Sequence, residues 1–361
     1  MRNILLALAF ALSVSSTALA QHNVAGASGA QSSRALSAAS YLDRGNDWLK
    51  KGEFERAIAD YSIAIVFDAG HAGAYYNRGL ARAGNGDLDG ALRDFDKALE
   101  INPRLVEVLI NRGTARCNKG EVKAGFADFS RAIELNPRNA AAWSNRGAAR
   151  QQLGDLDAAL ADYAEAIRLN PRMADAWGNR CSALYTKREL DAALGACAQA
   201  LKLNPRHAIA LNNAGGILTE KGDLDGALAK LDQAIKLDSG KGYFYTNRGK
   251  AWLLKGDAGR ALSDLAQAIK LDANNAQAWL TRGVIRAIEQ DYARALADFN
   301  QAIKLAPGLA EAWRNRAFAL LYMNRLPEAE ADFARFRELG GTLKTEAEQL
   351  WRELKEEIKR K

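Results

Sequence analysis

Residues 140–173 read AAAWSNRGAARQQLGDLDAALADYAEAIRLNPRM, and this stretch decides the fold because its pattern recurs along the chain. Between Ala38 and Leu343 the sequence divides into nine consecutive blocks of 34 residues, without an insertion or a deletion. We number the positions of each block from 1 to 34, so that Trp143 stands at position 4. A short, fixed period of this kind indicates a repeat architecture in which similar units stack on one another.

The same classes of residue recur at the same positions of the blocks. Position 4 is large and apolar, position 8 is small, position 20 is Ala except for Gly125, and position 24 is mostly aromatic. Positions 4, 8 and 11 fall on one helical stripe and positions 20, 24 and 27 on another, at the spacing of amphipathic helices. Each block is therefore predicted to be a pair of helices whose axes approach closely at the small residues.

Turn residues stand where the two helices of a block would join. Six glycines at position 15 can adopt the left-handed conformation that ends a helix, and they are Gly52, Gly86, Gly120, Gly154, Gly222 and Gly256. An Asp often follows, where it can cap the second helix. Five of the six prolines stand at position 32, where they prevent the second helix from continuing: Pro103, Pro137, Pro171, Pro205 and Pro307.

This pattern resembles the tetratricopeptide repeat family. The residues that carry the resemblance in the fourth block are Trp143 to Gly147, Gly154-Asp155-Leu156, Ala159, Tyr163, Ala166 and Asn170-Pro171. The resemblance implies an all-α fold, a right-handed α-solenoid superhelix of nine helix-turn-helix repeats with a concave groove. It also implies that the groove holds a protein or peptide partner.

The predicted organisation has four parts. They are a signal peptide at 1–20, a flexible tether at 21–37, nine repeats (38–71, 72–105, 106–139, 140–173, 174–207, 208–241, 242–275, 276–309 and 310–343) and a capping helix at 344–361. Arg2, the apolar run from Ile4 to Val14 and the small residues Ala18-Leu19-Ala20 predict cleavage before Gln21. The alternative, an uncleaved anchor helix, is disfavoured because the run is short for a membrane span. We therefore expect an exported protein, periplasmic or secreted.

The composition and the scattered histidines favour a binding protein over an enzyme. The formal charge of +7 is spread over nearly balanced basic and acidic residues, whereas a nucleic-acid-binding protein concentrates its positive charge on one face. His22, His71 and His207 form no metal or triad grouping. We expect no enzymatic activity, no cofactor or metal, no nucleic acid and no small-molecule substrate.

Position 7 and position 23 carry opposite charges. Position 7 is Arg in eight blocks and position 23 is Asp in seven, and block six lacks both, with Ala214 and Lys230. We predict an ion pair within each hairpin, including Arg78–Asp94, Arg112–Asp128, Arg146–Asp162 and Arg248–Asp264. Two alternatives are a pair between one repeat and the next, and a row of Arg that grips an acidic ligand.

Position 6 carries an amide in seven of the nine blocks: Asn77, Asn111, Asn145, Asn179, Asn213, Asn247 and Asn315. Asn is a poor residue inside a helix, so its repetition requires a reason. One interpretation is that each amide bonds the neighbouring hairpin and fixes the stacking of repeats. The other is that the amides face the groove and bond the backbone of an extended peptide.

Two local features depart from the common repeat pattern. Cys181 and Cys197 stand at positions 8 and 24 of one block, and we favour two buried thiols over a disulfide, because free Cys packs as a small hydrophobe.

After the last repeat, Thr345 to Glu348 forms a predicted capping box, and Ala347, Leu350, Trp351, Leu354 and Ile358 lie on one side of the following helix. This helix is expected to cover the last hairpin; binding to a membrane is the disfavoured alternative.

The function that the sequence predicts is that of a non-catalytic scaffold. It binds an extended polypeptide along the concave groove, in the cell envelope or the secretion pathway. The alternative is a structural or regulatory subunit of an envelope complex, for example one of polysaccharide synthesis or export, that uses its convex face.

Overall fold

The computed structural model describes residues 37–342 and 345–360, and within them every regular element is an α-helix. The predicted signal peptide and all but the last residue of the predicted tether lie outside the described residues, as do the side chains of Thr345 and Glu346 in the predicted capping box. The chain divides into two compact units, one up to Asn179 and one from Arg180 onward.

The unit up to Asn179 consists of helix pairs, one pair for each repeat. Its helices are α1 (Ala38–Lys51), α2 (Phe54–Phe67), α3 (Ala72–Gly84), α4 (Leu88–Ile101), α5 (Val106–Asn118), α6 (Val122–Leu135), α7 (Ala140–Gln152), α8 (Leu156–Leu169) and the first part of α9 (Ala174–Thr186). The two helices of a repeat pack on each other, and the second also packs on the first helix of the next repeat, as α6 does on α7.

The unit from Arg180 onward continues the same pattern and adds one helix. Its helices are the rest of α9, then α10 (Leu190–Leu203), α11 (Ala208–Lys221), α12 (Leu224–Leu237), α13 (Gly242–Leu254), α14 (Ala258–Leu271), α15 (Ala276–Ile288), α16 (Tyr292–Leu305), α17 (Ala310–Tyr322), α18 (Leu326–Glu338) and α19 (Thr345–Arg360). The fold is thus an all-α repeat solenoid, as the sequence predicts.

The small residue at position 8 makes room for the large side chain at position 24. Tyr163 is fully buried between its two helices. A Cβ atom added at Gly147 would lie 2.8 Å from the ring of Tyr163, which is closer than side chains approach. The same close approach joins Gly79 to Phe95 and Gly283 to Phe299. Glycine at position 8 therefore sets the distance between the two helices of a repeat.

The residue at position 15 adopts a left-handed backbone conformation in every repeat, including the three repeats without a glycine there. The six glycines predicted for this role have φ angles between +75° and +88°. In the three other repeats Arg188, Gln290 and Asn324 adopt positive φ angles of 67°, 63° and 57°. Where an Asp follows the turn it caps the second helix, as Asp155 does by accepting from the Ala158 amide.

Indole groups at position 4 tie consecutive repeats together. Trp143 donates from Nε1 to the carbonyl of Pro137, 2.8 Å away, and Trp313 donates to that of Pro307 at 2.9 Å. Both carbonyls belong to position 32 of the preceding repeat. Trp279 bonds the carbonyl of Ala273 at the same position, 3.0 Å away, so this contact between repeats does not require the proline.

The favoured interpretation of Cys181 and Cys197 as two thiols is wrong. The structure joins them in a disulfide with their Cα atoms 5.2 Å apart. They stand at positions 8 and 24, which are in close contact in the other repeats, so a bond needs no displacement of the helices. Cys117 is a free, buried thiol.

Helix α19 packs against the last hairpin. Trp351 is buried, stacks on the ring of Phe333 with centroids 4.0 Å apart and meets Phe318 edge-on at 5.5 Å. Leu354 and Ile358 pack against the same cluster, whereas Leu350 is 39% exposed. Within the described ranges, no helix combines the length and the hydropathy that crossing a bilayer requires.

Candidate functional site

The seven amides at position 6 all lie on first helices of repeats and are all partly buried. Asn77, Asn111, Asn145 and Asn179 belong to the unit up to Asn179, and the remaining three, Asn213, Asn247 and Asn315, belong to the other unit. Their hydrogen bonds differ, so the row is not uniform.

Three of these amides bond the first helix of the preceding repeat. Asn77 donates to Oδ1 of Asn46 at 2.9 Å, and Asn111 donates to the Tyr76 hydroxyl at 3.0 Å. In the other unit, a 2.9 Å hydrogen bond runs from Asn247 to Oδ1 of Asn212. These contacts are the kind that fixes the stacking of repeats.

The other four amides have open hydrogen-bonding capacity. Within the described part of the chain, the side chains of Asn145, Asn179 and Asn315 have no hydrogen-bond partner. Asn213 accepts from Asn212 at 3.3 Å, but its own Nδ2 is buried without an acceptor. A buried amide group that lacks a partner costs free energy, which a ligand that supplies the missing acceptor would recover.

The Arg at position 7 meets the Asp at position 23 of its own repeat in seven repeats. Each Arg donates from Nε and Nη2 to the two carboxylate oxygens, over 2.5 to 3.0 Å. The pairs are Arg44–Asp60, Arg78–Asp94, Arg112–Asp128, Arg146–Asp162, Arg248–Asp264, Arg282–Asp298 and Arg316–Asp332. Each Asp is buried, and the two parallel bonds use the planar geometry of the guanidinium fully.

Four of these carboxylates hold a second Arg, which the repeat pattern alone does not identify as a partner. It comes from position 11, and the residues are Arg82, Arg116, Arg150 and Arg286, at 2.8 to 2.9 Å from the Asp of their repeat. The recurrence of Arg at position 11 was visible in the sequence. Its contact was not, because only the packed hairpin brings positions 7, 11 and 23 together.

In four of these pairs the remaining guanidinium nitrogen, Nη1, bonds the preceding repeat. Arg112 donates from Nη1 to Asp96 at 2.7 Å, and Arg78 donates to the Ser62 hydroxyl at 3.1 Å. Both acceptors stand at position 25 of the preceding second helix. One Arg therefore links three helices, so the pair acts within a hairpin and across a repeat boundary at once.

Aromatic rings at position 4 lie under the same guanidinium groups. The guanidinium carbon of Arg146 is 4.6 Å from the ring centroid of Trp143, and that of Arg282 is 4.6 Å from Trp279. Attraction of this kind contributes on the order of 0.5 to 2 kcal/mol. Six of the seven paired Arg residues have such a ring, Arg112 being the exception with Leu109 at position 4. All seven bond a carboxylate, so they offer little of their charge to an acidic ligand.

The histidines inside the repeats are helix caps. His71 accepts from the Ala74 amide through Nδ1 at 2.9 Å, and His207 does the same for Ala210 at 3.2 Å. No group of three or more His, Cys, Asp or Glu residues in the described ranges could hold a metal ion.

Comparison with known proteins agrees with the geometry. The family model for the tetratricopeptide repeat matches residues 72–105 and 140–173, and a second model of the same description matches 180–241 and 247–310, together more than half of the chain. The chain belongs to the tetratricopeptide repeat family. This repeat protein is accordingly a protein-interaction scaffold. Comparison with curated proteins finds no significant match.

Solved structures share the fold at low sequence identity. A tetratricopeptide repeat protein from Parabacteroides merdae is 19% identical with a TM-score of 0.54, over 69% of this chain and 98% of that one. A chain of the APC/C hetero-tetramer Cut9-Hcn1 is 16% identical with a TM-score of 0.64, over 89% and 76%. The pilF protein of Pseudomonas aeruginosa is 20% identical with a TM-score of 0.50, over 56% and 93%.

Proposed function

We propose that this repeat protein is an exported, non-catalytic scaffold that binds an extended polypeptide along the concave groove lined by its first helices. The observation that carries the proposal is the open hydrogen-bonding capacity of Asn145 and Asn179, which stand at position 6 of two consecutive repeats. Each amide group can donate one hydrogen bond and accept another. An extended peptide backbone offers both kinds of partner.

The expected affinity follows from the size of one such bond. A hydrogen bond of this kind contributes about 0.5 to 1.5 kcal/mol net, so a few of them give moderate affinity with little preference for sequence. The side chains around them on the first helices would then supply the selectivity.

Two double variants test the proposal. In Asn145→Ala/Asn179→Ala the amides that have no partner are lost, and in the matched control Asn77→Ala/Asn111→Ala the amides that bond neighbouring repeats are lost. Peptides selected by the mature chain from a displayed library of unstructured sequences provide the ligand. We expect the first variant to keep its melting temperature and lose the peptides, and the control to lose stability. Retained binding in the first variant would refute groove binding through the amides.

Export is supported by two independent features. The apolar run from Ile4 to Val14 ahead of Ala18-Leu19-Ala20 has the pattern of a cleaved signal. The Cys181–Cys197 disulfide suits an oxidising compartment outside the cytosol. We expect the protein isolated from its native cells to begin at Gln21, which sequencing of its amino terminus can check. An intact amino terminus in a cytosolic fraction would contradict export.

The alternative function, a structural or regulatory subunit of an envelope complex, would use the second helices instead. If neither double variant changes stability or peptide binding, the surface of the second helices becomes the better candidate for contacting the partner.

A further inference from the structure

The row of paired arginines is interrupted in the sixth repeat. Ala214 stands at position 7 and Lys230 at position 23, where seven other repeats carry an Arg and an Asp. In four of those repeats the guanidinium group bonds the second helix of its own repeat and that of the preceding one, as Arg248 does with Asp264 on α14 and Asp232 on α12. The methyl group of Ala214 cannot fill this space.

A cavity of about 360 Å³ opens at this place, between α10 and α12 and above α11. Its lining is Leu194, Ala198, Leu201, Lys202, Ala214, Leu218 and Lys230. The volume lies within the range of small-molecule pockets, roughly 300 to 1,000 Å³.

The ninth repeat provides an internal comparison. The corresponding cavity there has a volume of about 260 Å³, and its lining includes Leu296, Asn300, Arg316, Leu320 and Asp332. These five residues stand at the same repeat positions as Leu194, Ala198, Ala214, Leu218 and Lys230. The two sites therefore share their architecture, and they differ because the ninth repeat contains its own Arg–Asp pair.

The charge of the sixth-repeat cavity is also reversed. Lys230 is partly buried at the position that an Asp occupies in seven other repeats, and within the described residues it has no carboxylate partner. Lys202 at the rim has none either. The site thus combines aliphatic walls with an uncompensated positive charge, so a complementary ligand has an apolar part and an anionic group.

We propose that this cavity binds a small amphiphilic carboxylate of the fatty-acid type. The aliphatic chain lies among Leu194, Leu201 and Leu218, in the space that an Arg side chain fills in other repeats. The carboxylate meets the Lys230 ammonium group, with Lys202 as a second cation. The sequence predicts no small-molecule substrate, and this ligand is bound without being transformed.

The surroundings of the cavity favour a small molecule over the surface of a partner protein. Among the large apolar residues of α10, α11 and α12, all of them described, only Leu203 is exposed, at 36%. The same helices also carry charged groups, such as the Asp191–Lys221 pair that joins α10 to α11. A stable protein interface needs on the order of 1,000 Å² of complementary surface, and no broad apolar patch is present on these helices to provide it.

Titration calorimetry with decanoate, below the concentration at which it forms micelles, tests the proposal. We expect one site for decanoate and binding at least about tenfold weaker for 1-decanol, since the charge-assisted bond is absent. Decyltrimethylammonium, which has a similar chain and the opposite charge, is expected not to bind. Equal affinity for all three would overturn the proposal.

Variants locate the site. Lys230→Met keeps the walls and removes the charge, and it should weaken decanoate binding about tenfold, whereas Lys236→Met, an exposed control on α12, should not. Ala214→Arg/Lys230→Asp rebuilds the pair of the other repeats and should abolish binding in a chain that circular dichroism shows to be folded. Unchanged decanoate binding in both cavity variants overturns the proposal.

A competing occupant is tested in the same assay. A short acidic peptide that carries leucine beside aspartate stands for a protein partner. If this peptide binds in a manner that depends on Lys230 and decanoate does not, the cavity is a docking site for a polypeptide and the proposal of a fatty-acid-type ligand is wrong.

Discussion

Cys181 and Cys197 form a disulfide where seven other repeats place a glycine against a large side chain. The bond joins the two helices of the fifth repeat, α9 and α10. That repeat also lacks the Asp of position 23, because Ala196 stands there. A covalent link thus connects the two helices in a repeat that has lost the standard ion pair.

The disulfide leads to a prediction about thiol reactivity. Burial raises the pKa of the Cys117 thiol to about 11, so little thiolate forms at pH 8. We expect iodoacetamide to label no cysteine of the folded chain, one in the unfolded chain and three after unfolding with a reductant. Intact-mass measurement counts the labels. Three labels without a reductant would contradict the disulfide.

The Arg146–Asp162 pair leads to a prediction about stability. Asp162 is buried and holds both Arg146 and Arg150, which are themselves only 14% and 24% exposed. Asp162→Asn leaves two cations without their carboxylate, and we expect a loss of about 2 to 3 kcal/mol, below the range for fully buried pairs because the arginines reach solvent.

The matched control is Asp43→Asn, which makes the same chemical change at an exposed residue of the first repeat. It is expected to alter stability by less than about 0.5 kcal/mol. Denaturant unfolding followed by circular dichroism measures both. An unchanged midpoint in Asp162→Asn would mean that the pair contributes nothing to the array.

Much of the fold could be predicted from the sequence because one period governs it. The positions of helices, turns and close helix contacts repeat, so any one block identifies them. The partners of the position 6 amides could not be predicted in this way. Asn77 bonds position 9 of the preceding repeat, whereas Asn111 and Asn247 bond position 5, and those positions vary in sequence.

The disulfide and the second Arg required the packed structure. The sequence placed Cys181 and Cys197 on facing helices, but only the distance between them separates a bond from two thiols. Likewise, the charge of Arg150 was evident, and its contact with the carboxylate of Asp162 depends on the crossing of two helices.

Gln290 provides a prediction about the backbone. It adopts a φ angle of +63° at position 15, where six other repeats have glycine, and a left-handed conformation costs a residue with a side chain about 1 to 2 kcal/mol. Glycine offsets part of this gain, because it raises the conformational entropy of the unfolded chain. We therefore expect Gln290→Gly to raise stability by about 0.5 to 1 kcal/mol.

The reverse change supplies the control for that prediction. Gly154 has a φ angle of +88°, and a Cβ atom added to it would meet nothing within 4 Å. Gly154→Ala should therefore lower stability through the backbone alone, by about 1 kcal/mol. Thermal unfolding of both variants checks the signs. A stabilising Gly154→Ala would show that the left-handed conformation at position 15 carries no cost for a residue with a side chain.

Trp351 provides a prediction about the end of the array. Its ring covers Phe333 and Phe318 of the last hairpin, and truncation of a buried Trp to Ala costs about 3 to 5 kcal/mol. In a repeat array each unit contacts only its neighbours, so this loss is confined to the end of the chain. We expect Trp351→Ala to increase amide hydrogen exchange in α17 and α18 while helices α11 to α14 stay protected.

The control is Leu350→Ala, which changes an exposed apolar residue on the same helix and should leave exchange unchanged. Equal exchange in the two variants would mean that α19 does not stabilise the last repeat.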